Sequence, residues 1–104
     1  MGFELDKVFG DMLAAAEGVF RKEWPKVKDA MEQVLADERE ALENVSKAYI
    51  TGALTDEELQ DQLDGERDAF EAGVAMCKVK SKVTIQKALN AALKVLEEAI
   101  KAAV

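Results

Sequence analysis

Histidine is missing from the 104 residues, and cysteine and proline occur once each. Without an imidazole there is no His-based metal centre, no Ser/His or Cys/His catalytic pair, and no charge switch near neutral pH. A single thiol closes neither an internal disulfide nor a thiolate zinc cage. Aromatic residues make up 6% and there are six glycines, too few strand and turn formers for a sandwich or barrel. No apolar run approaches the roughly 18 residues of a membrane-crossing helix. Met1-Gly2-Phe3-Glu4-Leu5-Asp6 carries acids where a signal peptide carries bases, and Asp6 stands where a myristoylation motif has Ser or Thr. These absences predict a cytoplasmic chain. With 21 acids against 14 bases, net −7, the surface repels the phosphate backbone, so nucleic acid is not an expected partner.

Ala, Glu, Lys and Leu dominate what is present, the composition of long helices. The expected class is all-α, as one helical domain over residues 1–104. The clearest local signal is Ile50-Thr51-Gly52-Ala53-Leu54-Thr55-Asp56-Glu57-Glu58. Gly52 suits the left-handed position past a helix end. The Thr55 hydroxyl is placed to cap a following helix. Glu58 completes a capping box, and Asp56 and Glu57 favour the positive end of that helix's dipole.

On either side of this turn, apolar residues recur at heptad steps. Val27, Met31, Val34, Ala41, Val45 and Ala48 precede it, with Glu38 filling the gap; Leu59, Leu63, Phe70, Val74 and Cys77 follow. Folding the chain back at the turn pairs Val45 with Leu59 and Val34 with Phe70. Farther out it pairs Phe20 with Ile85, Met12 with Leu93 and Leu5 with Ile100. The pattern predicts a long antiparallel helical hairpin with arms 3–50 and 55–103, each about 72 Å long, and a kink near Pro25. A second apolar row, Leu35, Leu42 and Tyr49 on one arm and Ala88, Ala92, Val95 and Ala99 on the other, is wider than a two-helix seam needs. It predicts a homodimer forming a four-helix bundle. The alternative is a compact four-helix monomer with breaks near 24 and 78–84, where helix propensity is weak. No Gly or polar turn cluster marks either place, which favours the hairpin.

Three constellations bear on chemistry. Gly10-Ala14-Gly18 and Gly65-Ala69-Gly73 are small-residue stripes, suited to close helix packing or to docking a further helix. Glu38 and Glu66 face each other across the seam; neutralisation by Arg39 and Arg67, or a swing to solvent, is expected ahead of a cation site. Cys77 lies on the apolar seam and reads as a small core residue.

Charge is strongly segregated. Residues 30–74 hold 13 acids and 3 bases, and the remaining chain 8 acids and 11 bases. The bases gather in two clusters, Arg21, Lys22, Lys26 and Lys28, then Lys78, Lys80, Lys82 and Lys87, with Trp24 among them. The hairpin would set these eight bases at one height, as a partner-binding belt with Trp24 as its apolar anchor. The expected function is that of a non-enzymatic structural or interaction protein that associates with itself and docks another protein. A membrane-surface or pore-forming protein is the second reading, from the amphipathic segment 85–104. A carboxylate-based metal-binding bundle is the third. No cofactor, metal or catalytic residue is predicted.

Overall fold

A computed structural model of the chain describes residues 4–75, 77 and 82–104. It is all-α, with no strand among the described residues. The helices are α1 (Leu5–Phe20), α2 (Trp24–Asp37), α3 (Arg39–Ile50), α4 (Asp56–Val74) and α5 (Lys82–Ala102), with a single 3-10 turn at Arg21–Glu23. α2 and α3 are two parts of one kinked helix. The Glu38 N–H donates to the Val34 carbonyl at 2.9 Å and the Leu42 N–H to the Glu38 carbonyl at 2.9 Å, so hydrogen bonding runs through the joint.

The long hairpin is not what forms. The molecule measures 40 × 24 × 20 Å with a radius of gyration of 13.3 Å, close to the roughly 13 Å of a compact chain of this size and far from a 72 Å rod. The compact alternative is the one observed. The chain reverses at Arg21–Glu23, again through 51–55, and again between Val74 and Lys82. α1 packs on α2 and α5, and α4 on α2, α3 and α5, so neighbours around the ring run antiparallel. The helix partners inferred from the pairing survive: α1 lies along α5, and α2–α3 lies along α4. The hairpin has been folded in half.

Burial explains why. Of the row assigned to a dimer partner, Leu35, Leu42, Ala88 and Ala92 are at most 2% exposed within the single chain, while Tyr49, Val95 and Ala99 are half-buried against the core. Each leucine so covered contributes about 1.5–3 kcal/mol. Against this stands the reversal after α1, where Arg21 takes φ 53° and ψ −112°. That conformation costs a non-glycine residue about 1–3 kcal/mol, and burial outweighs it. Pro25 does not kink a helix. It sits in the first turn of α2, where its missing N–H removes no bond.

The kink falls instead at Glu38, and it turns the buried face. Before it Val27, Met31, Val34 and Leu35 point inward; after it Leu42 and Ser46 do, while Ala41, Val45 and Ala48 are half-buried. Ser46 is 1% exposed, and its hydroxyl donates to the Leu42 carbonyl at 2.7 Å. The central turn forms as its residues require. Gly52 has φ 86°, and the N–H groups of Gly52 and Ala53 donate to the carbonyls of Tyr49 and Ala48 at 3.0 and 2.7 Å, a Schellman ending. Thr55 and Glu58 make both bonds of the capping box, at 3.1 and 2.9 Å. The Tyr49 hydroxyl donates to Asp56 across the turn.

Candidate partner-docking site

The reversals decide where the bases lie. The end of α1, the start of α2, the end of α4 and the start of α5 share one pole of the bundle. The 51–55 turn, the start of α1 and the end of α5 share the other. A belt at the waist of a rod has become the cap of a bundle. Arg21, Lys22, Lys26, Lys28, Lys82 and Lys87 are all exposed there; Lys78 and Lys80 lie outside the described residues. Residues 21–29 and 82–87 together hold six bases against two acids, Glu23 and Asp29. Among the described residues none of these six bases pairs with an acid; the ion pairs are Arg39–Asp6, Lys47–Glu43 and Lys101–Glu97. α5 has no acid in its first turn, so the positive end of its helix dipole adds to the same field, while Glu23 stands at the start of α2.

Trp24 does not serve this surface as its anchor. It is 9% exposed, and its ring lies 6.2 Å from that of Phe20, so it closes the core beneath the turn. Among the described residues, the large apolar side chain displayed at this pole is Val83, 57% exposed in the first turn of α5. Nothing in the sequence singled it out, because it sits in an alternating stretch that does not show a helical face by itself.

The small-residue stripes divide. A Cβ on Gly10, Gly18 or Gly65 would meet nothing within 4 Å, whereas on Gly73 it would fall 2.1 Å from Val34 Cγ2. Close approach is thus needed at Gly73 alone. Cys77 is half-buried against the core as a free thiol. The apolar face of α5, from Ile85 to Ile100, is at most 8% exposed, so lying on a membrane would require the bundle to open. No helix among the described residues is long and apolar enough to cross one.

Glu38 and Glu66 do meet, and the arginines do not neutralise them. Arg39 pairs with Asp6 and lies 5.9 Å from the Phe9 ring centre. Arg67 donates to Asn90 at 3.2 Å. Burial, then the neighbouring Glu38 carboxylate and a hydrogen bond to it, push the Glu66 carboxyl above the usual range. Its Oε2 is buried without a partner. No third metal-binding side chain joins them among the described residues; the two carboxylates are held together at the kink. Asp6 is shifted the other way, held low by its hydrogen bond to Arg39 and by the guanidinium charge.

No family model matches the chain, and neither a curated protein nor a solved structure matches it.

Proposed function

We infer that this chain is a non-enzymatic interaction module, a helical bundle that docks an acidic segment of a protein partner on its basic pole. One observation carries the reading. Arg21, Lys22, Lys26 and Lys28 converge with Lys82 and Lys87, far away in sequence, on one pole, exposed and, among the described residues, without an ion-pair partner, beside the open side chain of Val83. Like charges gathered this way repel one another, at a modest cost screened over about 8–10 Å at ordinary salt. An acidic ligand relieves that repulsion and is steered in by it. The opposite pole, where α4 opens with Asp56, Glu57 and Glu58, repels the same ligand and so orients it.

Fluorescence anisotropy with a labelled Glu/Asp-rich peptide tests this. The signal should rise on titration with the chain and fall back as salt goes from about 50 to about 500 mM. It should disappear for the Lys22→Glu/Lys82→Glu double variant at unchanged helicity. Equal binding by that variant would overturn the reading.

A further inference from the structure

We propose that the acidic segment is α4 of a second copy, and that two chains associate side by side, antiparallel, each placing its basic pole against the other's α4. This rests on the docking role of the basic pole and names the occupant. α4 holds eight acids and one base, and that base, Arg67, bonds the neutral Asn90. Among the described residues no base lies within ion-pair distance of an α4 acid. Glu57, Asp61, Asp64 and Asp68 are exposed. Their steps of 4, 3 and 4 put them in one stripe along the helix, about 16 Å long.

The placement makes this face complementary to itself. α4 is flanked by α2–α3 on one side and α5 on the other. The starts of α2 and α5, with Lys22, Lys26, Lys82 and Lys87, therefore bracket its C-terminal end. The Arg67–Asn90 bond sets the level of α5 against α4, so Lys87 stands opposite Phe70 and Lys82 lies beyond Val74. Glu57, Asp61 and Asp64 lie on the other side of that level, toward the 51–55 turn, and Asp68 stands one residue past it. One face of the bundle thus carries most of its acids in one half and most of its bases in the other, with Lys94 and Glu71 as the exceptions. A half-turn about an axis through the Arg67–Asn90 level brings acid onto base twice, the isologous contact of a closed two-fold dimer. Val83 lies at the basic end of that face and gives the contact an apolar element.

Sedimentation equilibrium tests the proposal. At about 50 mM salt the wild-type mass should be twice 11.4 kDa, and it should fall to the monomer value by about 500 mM. Asp61→Lys/Asp68→Lys cancels the net charge of the acidic stripe, and Lys82→Glu/Lys87→Glu cancels that of the four bases. Each double variant alone should lose at least about tenfold in association, and an equimolar mixture of the two should recover the dimer mass. All four positions are exposed, and circular dichroism establishes that the variants fold. Glu32→Lys/Asp37→Lys, the same charge change on α2, should leave the wild-type dimer intact. A wild-type monomer at low salt, or a mixture that stays monomeric, would overturn the proposal. If the acidic peptide still binds in that case, the docking role of the basic pole stands and only its occupant is wrong. If the peptide does not bind either, both fail.

Discussion

Arg21 and Gly73 carry the two tightest local demands in the fold, and the sequence places the wrong and the right residue there respectively. Arg21 holds a positive φ in a region glycine enters without steric cost. Arg21→Gly should therefore stabilise the protein by about 1 kcal/mol, after the greater entropy of the unfolded glycine chain is subtracted. Urea melts should show a raised midpoint at an unchanged slope; a lower midpoint would mean that the Arg21 side chain contributes more than its backbone costs. Gly73 faces the stiff, branched Val34 side chain. Gly73→Ala should cost about 1–3 kcal/mol through overpacking. In open space, by contrast, Gly10→Ala should add about 0.5–1 kcal/mol through helix propensity alone. Opposite signs in the same melting experiment separate packing from propensity.

The kinked helix α2–α3 shows how one polar residue redirects an element. The heptad pattern was legible on both sides of Glu38, yet the seam it suggested after the kink, Ala41, Val45 and Ala48, is half-buried, while Leu42 and Ser46 take the inside. Local periodicity gives a helix its apolar stripe but not its rotation against the neighbours. The Glu38–Glu66 pair sits at that joint and sets a pH dependence. Above the raised folded value of Glu66, folded and unfolded chains are both ionised there, and only the folded one bears the desolvation and the repulsion. As pH falls through that value the folded chain takes up the proton first, so its stability rises until about pH 4.3, where the unfolded glutamate also protonates. Glu66→Gln should raise the melting temperature at pH 7, by the equivalent of at most about 1 kcal/mol given its partial exposure. The advantage should shrink steadily as pH is lowered toward 4. Asp6 works in the opposite sense: its lowered value stabilises the fold above the ordinary aspartate range, and that contribution is lost on further acidification. A gain from Glu66→Gln that persists unchanged at pH 4 would mean it comes from packing and not from charge.

At the scale of the whole molecule the central event is the folding of a hairpin onto itself. It removes most of two apolar rows from water, and it turns a pattern of charge along a rod into a bundle with a basic and an acidic pole. Small-angle scattering of the monomer in high salt should give a radius of gyration near that of the 40 × 24 × 20 Å bundle, well short of a 72 Å rod. Trp24, enclosed against Phe20, should emit at short wavelength and resist quenching by iodide in the same sample. Its emission should become red-shifted and quenchable together with the loss of helix on urea unfolding, since its shelter belongs to the bundle's core.

The capping box at Thr55, the left-handed Gly52, the all-α class, the pairing of α1 with α5 and of α2–α3 with α4, and the meeting of Glu38 with Glu66 were all written in the amino-acid order. Each depends on side-chain chemistry within one turn or on a regular apolar spacing, and both can be read along a line. The reversal at Arg21, the burial of Trp24, the inward turn of Leu42 and Ser46 and the exposure of Val83 were decided only in three dimensions. No glycine or polar turn cluster announced the reversal. Its driving force is apolar area covered by residues distant in sequence, and such area exists only once the helices have packed.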